Sequence, residues 1–370
     1  MKLRTLAISV ALLAILSVIA YIGNRPGPAP AADPRVGKPL LGPETAALAS
    51  GLVVSDQGKK VSLARNADGS WRDVDYFDLP ADFEKIARFV QDLNEAKVDR
   101  FVTDNPDRLS HLEFKDSWVA LDDPSGKEIW KLTLGKTADK GNGRFIRFGG
   151  ESKAYFSTLH VWLDTDAKGW ADARLVTLKP DEVAKIEIPF EGGAAVEAVR
   201  SKKDAPWTAE NAPAGQKLAE DKVLSLLTSL TSLRFTDTVD TKDPSAAEAE
   251  RHLRTFKLTT FGGKTVTVAL GRKPEEKRPK PAAAPAKAEP APAAKPAAET
   301  KAADVKVEAK PAAPEFETIP AGPVFAVVSS SDPHAAIDDL MKRRAFQVDE
   351  YTFTGLPQKA DELFEPAKGK

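Results

Sequence analysis

Two stretches of the chain repeat apolar side chains at the spacing of an amphipathic helix. The first runs from Ile86 to Ala96 and the second from Val223 to Leu233. Apolar residues at intervals of three and four predict one buried face on each helix. The apolar positions of the two stretches correspond one by one at a constant offset of 137 residues. This offset predicts that the helices belong to two copies of one duplicated unit.

Alternating or continuous apolar runs before and after each helix predict strands, and turn-forming residues separate them. Leu134-Gly135 and Leu270-Gly271 end equivalent runs in the two copies. The predicted strands are 51–55, 60–65, 118–122, 128–135, 144–148 and 153–157 in the first copy, and 184–190, 194–200, 255–261, 264–271 and 323–329 in the second.

These elements predict an α+β fold of tandem duplicated units, each a mostly antiparallel sheet with one main amphipathic helix. The first unit is predicted over residues 45–180 and the second over residues 181–365. The second unit contains an insertion, residues 273–314, built almost entirely of Ala, Pro, Lys and Glu. Such a composition buries too little apolar surface to offset the entropy of ordering, so the insertion is predicted to be disordered. A further helix is predicted from Asp332 to about Arg344.

The amino terminus has the pattern of an export signal. Lys2 and Arg4 precede an apolar run of 17 residues that ends at Ile22. This length is at the lower limit for a transmembrane helix and exceeds that of a typical signal-peptide core. Residues 1–23 are therefore predicted to be a transmembrane anchor or signal segment. An uncleaved anchor is favoured over cleavage after the Ala-Pro-Ala sequence at 29–31.

A segment rich in Pro and Ala, residues 24–44, follows the apolar run. This composition favours extended conformers over a packed core and predicts a tether. With the two basic residues kept in the cytoplasm, the protein is predicted to be a single-pass protein of a bacterial inner membrane. The bulk of the chain would then lie in the periplasm.

The overall composition excludes several classes of protein. Hydrophobic residues make up 42% and charged residues 29%, which are ordinary globular values. The chain has no Cys, so disulfides, thiolate metal sites and a cysteine nucleophile are excluded. The net charge of -1 provides no global attraction to nucleic acid, and no nucleic-acid partner is predicted.

Motifs that resemble catalytic, cofactor-binding or metal sites are incomplete. Gly135-Lys136-Thr137 lacks the first Gly of a phosphate-binding loop, because Trp130 occupies that position. The segment 164–169 opens like a calcium loop, but Lys168 is at its fifth position and Leu175 at its twelfth. No catalytic residue, cofactor or metal is therefore predicted.

The remaining polar candidates also favour structural roles. The four histidines lie far apart in the sequence, although His111 and His252 occupy comparable places in the two copies. His111 and His252 are interpreted as polar residues at junctions between a helix and a strand, with a shared ligand or pH-sensing role as the alternative. Asp122-Asp123 is interpreted as part of a hairpin turn. Trp162 and Trp170 are predicted as a candidate partner surface, because exposed aromatic rings pack well against sugars or proteins.

The order of these features resembles a known bacterial family. The segments that carry the resemblance are Arg-Phe-Ile-Arg-Phe-Gly-Gly-Glu-Ser-Lys-Ala-Tyr-Phe-Ser at 144–157, Trp-Ala-Asp-Ala-Arg-Leu at 170–175 and Val-Ala-Lys-Ile-Glu-Ile at 183–188. They are similar to the family catalogued as domain of unknown function 4340, and the likeness covers nearly all of residues 45–365.

The resemblance implies an envelope protein anchored in the inner membrane and associated with a gliding-type ABC transporter, through its permease or auxiliary subunit. It implies no catalytic residue. The predicted function is thus that of a non-enzymatic, periplasm-facing accessory or scaffold protein. The alternative is a module that binds the cell wall or a surface polysaccharide through the Lys-, Pro- and Ala-rich arm at 273–314.

Overall fold

The computed structural model describes residues 33–138, 142–279 and 316–366, together with Ser17. The chain divides into two compact units, Met1–Asp172 and Ala173–Lys370. Each unit is described by itself below.

The boundary between the units lies earlier than the one predicted after residue 180. The reason is that the chain enters the second unit directly after Asp172. The Ala173 carbonyl accepts a hydrogen bond from the Phe235 N–H, and the Leu175 N–H donates to the Leu233 carbonyl, both at 2.9 Å. These backbone contacts assign residues 173–175 to the second unit.

In the described part of the first unit, nine strands form one sheet and three α-helices accompany it, with one 3-10 helix at Ala167–Trp170. The strands are β1 (Gly51–Asp56), β2 (Lys59–Arg65), β3 (Trp71–Asp73), β4 (Leu79–Pro80), β5 (Arg100–Thr103), β6 (Trp118–Asp122), β7 (Glu128–Thr137), β8 (Arg144–Phe148) and β9 (Ala154–Ser157). The helices are α1 (Pro43–Leu48), α2 (Phe83–Glu95) and α3 (Pro106–Ser110).

Neighbouring strands of this sheet are antiparallel, in the order β4-β3-β2-β1-β6-β7-β8-β9-β5. Alternate residues of a strand point to opposite faces of a sheet. In β1, Leu52 and Val54 belong to the hydrophobic core of the unit. Val53 and Ser55 therefore lie on the opposite face, which we call the outer face.

Helix α2 is the amphipathic helix predicted for the first copy. The Asp82 side chain caps its start by accepting a hydrogen bond from the Lys85 N–H at 3.2 Å. Ile86, Phe89 and Leu93 are its buried residues and join the same core as β1. Burial of an apolar side chain contributes roughly 1.5 to 3 kcal/mol, so this face holds the helix on the sheet.

The described part of the second unit contains twelve strands, four α-helices and two 3-10 helices, Pro180–Glu182 and Ala360–Leu363. The strands are β10 (Val183–Ile188), β11 (Val196–Val199), β12 (Thr208–Ala209), β13 (Gln216–Leu218), β14 (Phe235–Asp240), β15 (Arg254–Thr260), β16 (Thr265–Gly271), β17 (Glu276–Pro279), β18 (Phe316–Ile319), β19 (Val324–Ser330), β20 (Arg344–Val348) and β21 (Phe364–Pro366). The helices are α4 (Glu220–Thr231), α5 (Pro244–Glu250), α6 (Ala336–Arg343) and α7 (Glu350–Thr354).

The main sheets of the two units share one strand order. The second sheet runs β12-β11-β10-β15-β16-β19-β20-β14, and the first runs β3-β2-β1-β6-β7-β8-β9-β5 after its extra edge strand β4. In each unit the main helix, α2 or α4, directly precedes the strand at the end of this order. The α+β class with mostly antiparallel sheets is confirmed. The shared order supports the duplication that the helix spacing predicts.

The tether predicted over residues 24–44 is wrong for its second half. Leu40 and Leu41 are 3% and 0% exposed and belong to the core of the first unit. The Leu40 N–H donates to the Ala96 carbonyl at 2.8 Å. Two adjacent leucines thus supply enough apolar surface to fold a stretch whose prolines suggested an extended chain. Residues 24–32 lie outside the described residues.

The insertion predicted as disordered over 273–314 begins with ordered chain. Strand β17 pairs antiparallel with β18, which follows the insertion, so the two ends form a short ribbon. The rest of the predicted insertion, residues 280–314, lies outside the described residues. Helix α6 begins at Ala336 and not at Asp332, because the Asp332 side chain accepts a hydrogen bond from the His334 N–H at 3.0 Å and forms a turn there.

No helix in the described part of the chain is long and apolar enough to cross a membrane. The predicted anchor, residues 1–23, lies outside the described residues apart from Ser17. Its fate as anchor or cleaved signal stays a prediction.

Candidate functional site

Trp162 is the most exposed large apolar side chain in the described part of the first unit, with 83% of its surface accessible. Its segment has no regular secondary structure, and its residues alternate between core and solvent. Leu159 and Leu163 are 4% and 8% exposed, and Val161 packs against the core between them. His160 is exposed like Trp162. The Trp162 indole is therefore presented to solvent by a segment whose alternate residues are fixed in the core.

A set of contacts from helix α2 fixes the chain that follows Trp162. The Lys85 ammonium lies 2.5 Å from an Asp164 carboxylate oxygen and donates to the Gly169 carbonyl at 2.8 Å. The Trp170 indole N–H donates to the Asp164 carbonyl at 2.9 Å. The Lys85 Nζ atom also lies 4.4 Å from the centre of the Trp170 ring. We call these four residues, Lys85, Asp164, Gly169 and Trp170, the Lys85 brace.

Trp170 is part of the brace and is not a surface residue, so the prediction of an exposed ring at this position is wrong. Its side chain is 1% exposed, and its ring meets the Phe89 ring edge-on at a centroid distance of 5.6 Å. Burial against helix α2 explains this difference from the prediction. Trp162 is exposed, and its role as a partner surface stays a prediction.

The Trp162 segment is suited to binding and not to bond chemistry. An indole offers a large apolar face and one N–H donor, which makes Trp one of the residue types enriched in binding hot spots. Single exposed apolar side chains are ordinary on protein surfaces, whereas a Trp exposed to this degree on a fixed segment is unusual. Other exposed large apolar residues of the first unit are Val36, Leu48, Val74, Phe77, Phe83 and Phe101.

The structure assigns structural roles to the motif fragments. Gly135-Lys136-Thr137 lies inside strand β7, and the Lys136 N–H donates to the Leu112 carbonyl at 2.9 Å, so this backbone does not form a phosphate loop. The Asp164 carboxylate of the calcium-like segment is paired with Lys85. Among the residues that the structure describes, no group of three or more His, Asp or Glu side chains is arranged to hold a metal ion.

The other polar candidates lie in turns and at helix ends. The Asp123 carboxylate accepts hydrogen bonds from the Ser125 and Lys127 N–H groups at 2.8 and 3.0 Å, so the hairpin interpretation is confirmed. His111 directly follows α3, and His252 follows α5. Both are exposed.

Asp73 is a buried carboxyl that the sequence did not single out. It is 0% exposed at the end of β3, and one of its oxygens accepts hydrogen bonds from the Asp75 and Tyr76 N–H groups at 3.0 Å each. Its other oxygen has no hydrogen-bond partner among the described residues. Burial, with smaller contributions from the charges of Asp75 and Asp166, raises the pKa of Asp73 to about 6 against the lowering effect of its two backbone hydrogen bonds. The Asp73 carboxyl group therefore titrates near pH 6, and the hydrogen bonds that it accepts stabilise the turn at residues 73–76.

A cavity of about 350 Å³ lies beside β9 and is lined by a cluster of polar side chains that the sequence did not predict. We call it the Asp33 cluster: Asp33, Arg35, Glu151, Lys153 and Tyr155. The Lys153 ammonium lies 2.9 Å from an Asp33 oxygen, and Arg35 pairs with Glu151. The Tyr155 hydroxyl is 3.4 Å from oxygens of both carboxylates.

The charges of the Asp33 cluster offset one another. The hydrogen bond from Lys153 holds the pKa of Asp33 below its usual range, and the same bond raises the pKa of Lys153. Burial raises the pKa of Tyr155 to about 12, so its hydroxyl stays protonated at neutral pH. With both acids and both bases paired, the cluster is built to fasten the chain at residues 33–35 to the β8–β9 hairpin.

The fold defines an α+β protein with two antiparallel-sheet units of one strand order. The model of the family described as "Domain of unknown function (DUF4340)" matches residues 71–252, from β3 to the end of the turn after α5. This match supports the family that the resemblance indicated, over a narrower range than residues 45–365. Neither a curated protein nor a solved structure matches the chain. The family description names no activity.

Proposed function

We propose that this protein is a non-enzymatic accessory or scaffold protein that binds another component of the bacterial envelope through the Trp162 segment. The observation that carries the proposal is the 83% exposure of Trp162 on a segment anchored at Leu159 and Leu163. Because the flanking residues are already ordered, docking this ring costs little conformational entropy. A Trp side chain buries roughly 150 to 250 Å² on binding.

The partner that we propose is the permease or auxiliary subunit of a gliding-type ABC transporter. Family resemblance supports this choice, and the apolar run at residues 6–22 supports a site beside the membrane. The Asp33 cluster fits such an arrangement, because it fastens to the folded body a stretch of chain that begins 11 positions after Ile22, the end of that run. A contact surface held close to the bilayer would meet a membrane-embedded partner at high effective concentration.

The proposal is tested by placing a photo-reactive phenylalanine analogue at position 162 of the full-length protein in cells. Position 351 is the matched control, because Tyr351 is an aromatic side chain of the second unit with 85% exposure. We expect position 162, and not position 351, to yield a crosslink to a permease or auxiliary subunit identified by mass spectrometry. Equal crosslinks from both positions, or none from position 162, would contradict the proposal.

A second variant separates binding from folding. Trp162→Ala removes an exposed ring, so its effect on the free energy of unfolding is expected to stay within about 0.5 kcal/mol. Loss of co-purification with the permease at unchanged stability supports the proposal. Recovery of cell-wall fragments in place of the permease would favour the alternative, in which the arm at 273–314 binds the wall.

A further inference from the structure

The outer face of the first sheet carries aromatic rings covered by cations. Each pair is made across neighbouring strands or from an adjoining loop, and the side chains are exposed or half-buried. The pairs are Lys131 at 4.1 Å from the ring centre of Trp118, Arg147 at 5.1 Å from that of Phe114, and Arg100 at 5.0 Å from that of Phe156. We call this surface the cation–aromatic face.

Strand register places these cations in a diagonal line across the sheet. Arg147 in β8 lies opposite Thr133 in β7. Arg100 in β5 lies opposite Phe156 in β9, which lies opposite Phe145 in β8. With strands about 4.8 Å apart and a rise of about 3.3 Å per residue, the Cα atoms of Arg100 and Arg147 are roughly 12 Å apart. By the same reckoning Arg147 and Lys131 are roughly 8 Å apart.

The two arginines of this face keep their hydrogen-bonding groups available. Within the described ranges, the guanidinium groups of Arg100 and Arg147 have no hydrogen-bond acceptor and no carboxylate at ion-pair distance. A guanidinium packed over a ring still directs its N–H donors outward along its edges, in a geometry that matches a carboxylate. Lys131 has one carboxylate neighbour, Glu128 at 3.4 Å.

The sheet of the second unit has the same strand order, but its charged side chains have different partners. On the matching face of its sheet, Lys185 lies 2.8 Å from Glu197, and Lys257 lies 3.5 Å from Glu187. Carboxylates thus neutralise the lysines there.

Cations also lie over rings in the second unit, but the guanidinium groups of Arg200 and Arg254 donate to backbone carbonyls there and that of Arg272 pairs with Glu350. Among the described cations over rings, guanidinium groups without an acceptor are therefore a feature of the first unit and are not required by the shared strand order.

We propose that the cation–aromatic face binds an acidic polysaccharide, a linear chain of sugars that carry carboxylate groups. The spaced guanidinium groups would each pair with a carboxylate of the polymer through the N–H donors along their edges. This site is distinct from the Trp162 segment and from the arm at 273–314, and the proposal does not depend on the proposed function.

The geometry favours a polysaccharide over the other polyanions. A nucleobase stacks on the free face of a ring, whereas a cation covers one face of Trp118, Phe114 and Phe156. An anionic lipid surface attracts dense clusters of roughly four to eight basic residues, whereas these cations are spread along a line.

The test is a titration of the full-length protein with alginate, a polymer of uronic acids, and with neutral dextran as the uncharged probe. We expect binding to alginate that weakens as salt is added, and none to dextran. Arg147→Ala and Arg100→Ala are each expected to weaken binding about tenfold, which corresponds to about 1.4 kcal/mol. Lys257→Ala in the second unit is the matched control and is expected to bind like the unmodified protein.

Each contrary result overturns the proposal. Equal affinity for dextran, unchanged binding by both arginine variants, or an equal loss with Lys257→Ala would remove the role of the cation–aromatic face. Tighter binding to single-stranded DNA or to vesicles of anionic lipid than to alginate would reject the polysaccharide. Arg147→Lys keeps the positive charge but lacks the planar guanidinium group. Partial binding of alginate by this variant, with an unchanged circular dichroism spectrum, shows that the loss of binding in Arg147→Ala is not due to unfolding. Trp162→Ala is expected to bind alginate normally, which separates this site from the proposed partner surface.

Discussion

Gly135 and Gly271 meet the same obstacle in equivalent strands of the two units. A Cβ atom added to Gly135 would lie 2.4 Å from the Leu112 carbonyl oxygen, and one added to Gly271 would lie 2.4 Å from the Ala249 carbonyl oxygen. In both units that carbonyl belongs to the short helix, or to the turn after it, that precedes the neighbouring strand. The backbone approaches the sheet so closely there that only Gly fits, which explains the repeated Leu-Gly pair.

We predict that Gly135→Ala and Gly271→Ala each lower the free energy of unfolding by about 2 to 3 kcal/mol, because the methyl group has to displace backbone. Urea denaturation measures the effect. Gly193→Ala is the matched control, since the nearest atom to its added Cβ would be 3.8 Å away. Its stability should change by no more than about 0.5 kcal/mol. If all three variants unfold at the same urea concentration, the nearby carbonyl oxygens do not restrict positions 135 and 271 to Gly.

The helices show why much of the fold follows from local sequence. Ile86, Phe89 and Leu93 form one face within a short window, so their spacing alone predicts α2. The burial of Leu40 and Leu41 was missed, because it depends on contact with distant strands while the neighbouring prolines dominate the local composition. Local periodicity therefore predicts elements, and the ends of a domain depend on long-range packing.

Asp73 gives a prediction about pH. Its pKa of about 6 lies above the usual 3.8, so its ionisation opposes folding. Its contribution to stability is fully present below the usual pKa and is lost as the pH rises through about 6. Asp73→Asn cannot ionise. Between pH 3.5 and pH 8, its stability relative to the unmodified protein is expected to rise by on the order of 2 to 3 kcal/mol.

Urea denaturation of both proteins across this pH range measures the difference. Asp339→Asn is the control of opposite sign, because the hydrogen bond from Lys342 lowers the pKa of Asp339. Its relative stability should not rise with pH. A constant difference between Asp73→Asn and the unmodified protein would mean that the buried carboxyl is not destabilised by ionisation.

The Lys85 brace predicts a link between helix α2 and the Trp162 segment. Lys85→Met removes the partner of the half-buried Asp164 carboxylate and the donor to the Gly169 carbonyl. We expect a loss of about 1 to 2 kcal/mol in the free energy of unfolding and faster amide hydrogen exchange at residues 162–170. Crosslinking from position 162 should fall in the same variant.

Lys342→Met is the matched control for the brace. The ion pair of Lys342 with Asp339 has side chains 74% and 81% exposed, and such pairs contribute about 0 to 1 kcal/mol. Exchange at residues 162–170 should be unchanged in this variant. If Lys85→Met also leaves that exchange unchanged, the segment is held by its buried residues alone.

The two tryptophans show how far the candidate site follows from sequence. The alternation of Leu159, Val161 and Leu163 with exposed residues is a local pattern, and it places Trp162 on the solvent side. The burial of Trp170 requires Phe89 and Lys85 from a helix far earlier in the chain. The sequence predicts the same exposure for both tryptophan rings. Their different exposure results from tertiary packing.

The Asp33 cluster shows the same limit and gives the last prediction. Asp33 and Lys153 are 120 positions apart, so their pairing has no local signal. Because hydrogen bonding from Lys153 lowers the pKa of Asp33, the contribution of this carboxylate is present above its usual pKa and is lost as the pH falls through the lowered value. Asp33→Asn removes the charge at every pH. We expect faster amide exchange at residues 35–41 in this variant at neutral pH, and a difference from the unmodified protein that shrinks in acid.

Amide hydrogen exchange, with both proteins compared at each pH, measures this effect. Lys217→Met is the matched control, since it breaks a half-exposed pair with Glu365 in the second unit. Exchange at residues 35–41 should be unaffected by that substitution. If Asp33→Asn also leaves it unaffected, the burial of Leu40 and Leu41 alone fixes the start of the folded chain. The cluster would then have no part in coupling the body to the segment that precedes it.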